Sequence, residues 1–131
     1  VLHPDQFEVN EAWIAFKLNE APIHTESDGD FNVVALMDAA SCFILSSAFV
    51  STGKREQTKA EARRSLKEGQ SHKQQLPQTL FVPTGYQAKN LIAEAESLGV
   101  AVVRVAEGQL LAFVGDAREG FKEHFGATGI Q

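Results

Sequence analysis

Two apolar runs separated by only four residues constrain this chain more than anything else in it. Residues 31–37 (FNVVALM) and 42–50 (CFILSSAFV) are almost continuously apolar and rich in Val, Ile and Phe, the pattern of strands covered on both faces. Between them stands Asp38-Ala39-Ala40-Ser41, whose leading carboxylate can accept from backbone amides just beyond it, as hairpin loops require. Two strands joined so tightly can only pair antiparallel. Upstream, residues 12–18 (AWIAFKL) place Ile14, Phe16 and Leu18 alternately onto one face and read as a further strand. Residues 19–30 hold Pro22, Gly29 and the acids Glu20, Glu26, Asp28 and Asp30, a composition that suits an exposed loop. The first half is therefore expected to be a three-stranded antiparallel meander.

The second half alternates differently. Residues 54–75 contain no proline and are filled with Ala, Glu, Lys, Arg and Gln, good helix formers with little to bury, which predicts one long, poorly buried helix. Residues 78–82 read as a short strand. Thr84-Gly85-Tyr86-Gln87 matches the capping-box pattern, and Ala88, Leu91, Ile92, Ala95 and Leu98 follow helical spacing up to Gly99. Residues 100–105 then read as a buried strand, parallel to the one before because a helix crosses between them. Residues 109–114 are compatible with a strand or with the start of a last helix. Asp116 offers a cap-like start, and Val114, Ala117, Phe121 and Phe125 share one face, so a terminal helix to about residue 125 is expected.

With 131 residues, 44% of them hydrophobic, the chain suits one α/β domain over residues 1–131, with a flexible lead-in at 1–11 and a tail at 126–131. Its lone cysteine, Cys42, lies inside an apolar run, which excludes an intramolecular disulfide and favours a buried, inert thiol. No apolar stretch approaches the roughly 20 residues that span a bilayer, and the N-terminus lacks a signal-peptide core, so the cytoplasm is the expected compartment and no membrane contact is expected. The first residue is valine, which is compatible with a piece cut from a longer protein. The net charge of −5 conceals a partition: an acidic first third, a basic middle between residues 51 and 90, and an acidic end. Indiscriminate coating of nucleic acid is thereby disfavoured.

A meander followed by helix, strand, helix, strand, helix is the order of the RNase H-like fold. The stretch from Trp13 through Val50 resembles the opening of an integrase or DDE-transposase catalytic core, with a strand begun by tryptophan, an acidic loop, an apolar strand, "DAAS" and a second apolar strand. "LFVPTGYQAKNLIAEAESLGVAV" is similar to the later part of those cores. Uncharacterised bacterial domains of this layout are similar too. The resemblance implies a five-stranded mixed sheet with helices packed on it. It also implies a site where two aspartates and a glutamate hold two divalent metals that clamp the oxygens of a phosphodiester displacement. Here the first aspartate position falls at Ala15 and the second at Pro83 or Thr84, and no clear glutamate fills the third, although Glu119 and Glu123 lie on the last helix. A methyl group and a proline ring cannot hold magnesium.

The other candidates are modest. Asp38 ends a central strand, where a metal-linked role competes with a simple hairpin cap. His3, His24, His72 and His124 lack paired ligand spacing, and Ser41, Ser46, Ser47 and Ser51 lack a nucleophile-elbow sequence. Thr84, Gly85, Tyr86 and Lys89 could form a small anion site at a helix N-terminus, against the plainer reading of a helix cap without a ligand. Arg55, Lys59, Arg63 and Lys67 recur every four residues and could track phosphates. However, Glu56, Glu61 and Glu68 supply pairs such as Glu56 with Lys59 and Arg64 with Glu68, and no aromatic residue is interleaved, so a solvated, salt-bridged face is favoured. The reading that follows is a non-catalytic interaction module with no cofactor, whose partner is a protein or a second copy rather than nucleic acid. The alternatives are a divergent metal-dependent nuclease built on Asp38 with Asp116 or Glu119, and a homo-oligomeric structural domain.

Overall fold

A computed structural model describes residues 1–19, 21–27, 29–54 and 56–127, the last four in backbone only. Its central strand is β1 (Ala12–Lys17), buried from Ala12 to Phe16. Both faces of β1 are used, which explains why alternation alone is a weak guide to it. Trp13 and Ala15 enter one apolar cluster, while Ala12, Ile14 and Phe16 enter another on the opposite side of the sheet.

Around β1 the chain lays down β2 (Ile23–Thr25), β3 (Gly29–Asp38), β4 (Ile44–Ser51), α1 (Lys59–Lys73), β5 (Thr79–Pro83), α2 (Lys89–Ser97), β6 (Ala101–Val105) and α3 (Leu111–Ala127). In space the sheet runs β4, β3, β1, β5, β6. The β1–β3 and β3–β4 pairs are antiparallel, and the β1–β5 and β5–β6 pairs are parallel. The expected meander and the two parallel additions are all present. A sixth strand, β2, replaces part of the expected loop: β3 outruns β1, and the acidic segment folds back to pair Ile23–Thr25 with Gly29 to Phe31.

α1 and α2 cover one face, where Ala62, Leu66, Ala88, Leu91 and Ala95 meet Trp13, Ala15, Leu36, Leu80 and Val82. On the other face Leu110, Phe113 and Val114 cover Ile14, Phe16, Ala35 and Met37. The lead-in expected to be flexible also docks there. A 3-10 turn at Pro4–Gln6 is capped by His3, the Leu2 N–H donates to the Gln109 carbonyl at 3.2 Å, and Phe7 packs edge-on to Phe81 and tilted to Phe113.

Three helix starts differ from expectation. α1 begins at Lys59 rather than at residue 54, because Thr58 and Glu61 form the capping box: the Glu61 N–H donates to Thr58 Oγ1 at 3.1 Å and the Thr58 N–H donates to Glu61 Oε1 at 2.8 Å. The similar pattern at Thr84–Gln87 does not cap anything. α2 starts only after Ala88, which makes no side-chain cap bond, because Arg104 holds the preceding loop by donating to the carbonyls of Pro83, Thr84 and Tyr86. α3 does not start at Asp116. A 3-10 turn at Glu107–Leu110 runs straight into it, since Leu110, Phe113 and Val114 must all reach the core. The ambiguous residues 109–114 are thus helical. α3 continues through residues 126 and 127, and the rest of the expected tail, 128–131, lies outside the described residues.

β6 is also unlike its expectation. It is an edge strand rather than a buried one, with Val103 40% exposed. An edge position costs a strand one row of neighbours, which its own letters do not reveal.

Candidate functional site

Parallel strands β1 and β5 end side by side, and this is where the resemblance places its first two aspartates. Ala15 belongs to the cluster under α1 and α2. Phe81 packs in the cluster under α3, so Pro83, two residues on, turns toward α3 as well. Ala15 and Pro83 therefore face opposite layers. The β1 residue that shares the α3 side is Phe16, 1% exposed.

Arg118 of α3 covers that phenylalanine. Its guanidinium carbon stands 6.0 Å from the Phe16 ring centroid, its Nε donates to the Lys17 carbonyl at 3.1 Å, and it pairs with Glu107. An aromatic ring under a permanent cation offers no oxygen ligand and repels a divalent ion. Glu119 and Glu123 are exposed on α3. Strand alternation separates Phe16 from Ala15 but does not say which of the two meets α3, and nothing local marks Arg118.

Asp38 ends β3 and is 3% exposed. Its Oδ1 accepts the Asn10 N–H at 2.6 Å, and its Oδ2 accepts the Ser41 N–H at 2.9 Å and the Ser41 hydroxyl at 2.7 Å. Asn10 in turn accepts from Trp13 Nε1 at 2.8 Å. The carboxylate thus caps the hairpin and ties the lead-in to the sheet. It borders a cavity of about 350 Å³ shared with Phe43, Leu45, His72 and Lys73. Neighbouring Cys42 is half-buried, and its thiol is pushed above the ordinary value by burial first and then by the charges of Asp38 and Asp116, which disfavours the reactive thiolate. Asp116 is exposed.

The Thr84 corner lines a groove of about 630 Å³ with Gly85, Tyr86, Lys89 and Arg104. An anion already sits at its helix end, supplied by the chain itself. Glu56, in the β4–α1 loop, accepts the Asn90 N–H at 2.6 Å, and Asn90 Nδ2 donates to the Gln57 carbonyl at 2.9 Å. A carboxylate there satisfies a free amide and the helix dipole together. The Tyr86 hydroxyl is pushed far above its ordinary range by burial and then by Glu56.

The basic row on α1 is broken up. Arg55 lies outside the described residues; Lys59 and Lys67 are exposed; Arg63 pairs with Glu94 of α2 at 2.8 Å. The anticipated Glu56–Lys59 and Arg64–Glu68 pairs are not formed, and Glu56 is instead committed to α2. His3 caps the first turn, His24 lies 2.8 Å from Asp30, and His72 Nε2 lies 2.8 Å from the Leu45 carbonyl. The His124 side chain lies outside the described residues. Among the described residues no three His, Cys, Asp or Glu side chains gather where they could hold a metal ion, and no helix is long and apolar enough to cross a membrane.

No protein-family model and no curated protein matches the sequence. Solved structures do match the fold. A chain of the simian T-cell lymphotropic virus intasome, determined in complex with PP2A regulatory subunit B56 gamma, superposes with a TM-score of 0.58 at 16% identity, covering 100% of this chain and 45% of that one. The catalytic core domain of BIV integrase gives 0.58 at 12% identity over 92% of this chain and 72% of that one. The HTLV-2 integrase catalytic core, a dimeric form with magnesium, gives 0.56 at 12% identity over 89% and 73%. The chain spans less than half the length of the first of these. It has the RNase H-like fold of retroviral integrase catalytic cores.

Proposed function

We propose that this chain is a non-catalytic interaction module of RNase H-like fold, which contacts another protein or a second copy of itself rather than nucleic acid. The observation that carries the reading is the corner where β1 and β5 end: Phe16 is buried there beneath Arg118, with Pro83 on the same side. A phosphodiester clamp needs convergent carboxylates at that place, and a ring, an imino acid and a guanidinium hold it instead. The rearranged alternative loses support from Asp38, whose two oxygens already take three donors. The net charge of −5 and the pairing of Arg63 with Glu94 speak against a phosphate-tracking surface.

The test is incubation of labelled single-stranded DNA, duplex DNA and RNA with the protein, in magnesium and in manganese. The expected result is no metal-dependent cleavage and no tight oligonucleotide binding at near-physiological salt. Cleavage that needs metal and disappears in Asp38→Ala would overturn the reading in favour of a rearranged nuclease.

A further inference from the structure

β4 pairs with β3 alone among the described residues, so it forms one border of the sheet. Borders of this kind are usually blunted by charge, proline or a bulge, because unpaired backbone groups invite another strand. From Cys42 to Thr52 there is no charged residue and no proline. The irregularity in the β3–β4 register falls between Leu36 and Met37, opposite Ser46 and Ile44, which leaves Ser46 to Ser51 regular.

Hydrogen bonding fixes which groups point outward. The Thr52 N–H donates to the Asp30 carbonyl at 3.0 Å, in line with the pairs Phe31↔Ser51 and Asn32↔Val50. Alternate residues of an antiparallel pair bond across it, so Val50, Ala48 and Ser46 face β3, while Ser47 and Phe49 turn N–H and C=O away from it. Their side chains share the sheet face of Ala35 and Val33, but α3 does not cover them. Phe49 is 63% exposed, held edge-on against Phe31 at 6.2 Å.

We infer that β4 is a self-pairing edge, where a second copy of this chain adds its own β4 antiparallel across a two-fold axis at Ala48. In that register Phe49 of each copy bonds opposite Ser47 of the other, so each ring lies over a small side chain. The two Ala48 residues meet as a closely spaced pair. The α1 helices support the choice of a second copy over a foreign strand. Arg63 faces α2 through Glu94, and Arg64 and Glu68 turn from that side and are exposed, with no ion pair in the chain among the described residues. Opposite charges one turn apart are self-complementary about a two-fold axis.

The inference names a partner for an interaction module and so rests on that reading, but sedimentation reports it whatever the cleavage assay gives. The experiment is analytical ultracentrifugation of the full chain across a concentration series, for wild type, Phe49→Lys and Ser47→Pro. Proline at 47 removes an outward N–H and leaves the β3 ladder intact. A concentration-dependent dimer is expected, weakened at least about tenfold by either substitution, with unchanged circular dichroism. In a Cys42→Ser background, Ala48→Cys is expected to oxidise to a covalent dimer, since closely spaced antiparallel pairs fall within disulfide reach. A wild-type chain that stays monomeric would overturn the inference and leave the edge to an extended segment of another protein. A dimer indifferent to both substitutions, and not trapped when Ala48→Cys is oxidised, would overturn it in favour of another interface.

Discussion

Gly69 of α1 lies directly against the indole of Trp13: a β-carbon built on Gly69 would stand 2.9 Å from Trp13 Cη2 and 3.6 Å from Leu45 Cβ. The indole cannot swing away, because Trp13 is fully buried and its Nε1 donates to Asn10. Alanine in mid-helix ordinarily gains about 1 kcal/mol over glycine. Here the overpacking should win, and Gly69→Ala is expected to lower stability by roughly 1–2 kcal/mol. Urea unfolding followed by tryptophan fluorescence, which reports the single Trp13, measures the difference.

Glu56 closes the start of α2 from 34 residues away. Glu56→Ala removes the acceptor for the Asn90 N–H, and the expected loss is about 1 kcal/mol, as for other helix caps. Glu56→Gln keeps an acceptor and loses only the charge at the dipole, so it should fall between Glu56→Ala and wild type. Thermal melts of the three proteins give the order; equal melting temperatures would mean that the carboxylate is dispensable there.

Removal of the Arg118 guanidinium strands the Lys17 carbonyl and uncovers Phe16. Arg118→Ala is expected to cost roughly 1–3 kcal/mol, the usual penalty for a lost bond to a charged donor together with its packing. Arg118→Met keeps most of the apolar cover and should recover part of that loss. Neither variant is expected to acquire metal-dependent cleavage, and chemical denaturation alongside the nuclease assay checks both statements.

Tyr86 is the only tyrosine, so its ionisation can be followed by absorbance without assignment. Burial, then Glu56, raises its pKa in the folded chain. In the unfolded chain the phenol ionises near its ordinary value of about 10. The folded state therefore holds its proton more tightly, and the stability tied to the phenol is intact below that value and declines as pH rises above it. Phenolate absorbance is expected to appear together with the loss of far-ultraviolet circular dichroism. A Tyr86→Phe variant, with no proton to lose, should unfold at higher pH.

Much of the sheet was legible because apolar runs and helical spacing are local properties. The runs at 31–37 and 42–50 and the face made by Leu91 and Ala95 appear where their patterns place them. What was not legible depends on distant partners. Thr58 and Thr84 head the same four-residue pattern, and only the hold of Arg104 on the second loop decides which one caps a helix. Val103 and Ile14 are both apolar strand residues, yet the first sits at an edge and the second at the centre. At the candidate site, substitution of the aspartate positions could be read directly from Pro83. The parity that puts Phe16 rather than Ala15 on that face follows from which layer each side of β1 meets.

The bond from Arg118 to the Lys17 carbonyl joins residues 101 positions apart. Within this domain five further strands follow β1 before the helix that shields Ala12, Ile14 and Phe16. Full cover of that side of the central strand thus depends on contacts between distant parts of the domain, a long-range closure of the kind that slows folding. The strand at the centre of the sheet owes its cover to the helix furthest from it in this domain's sequence.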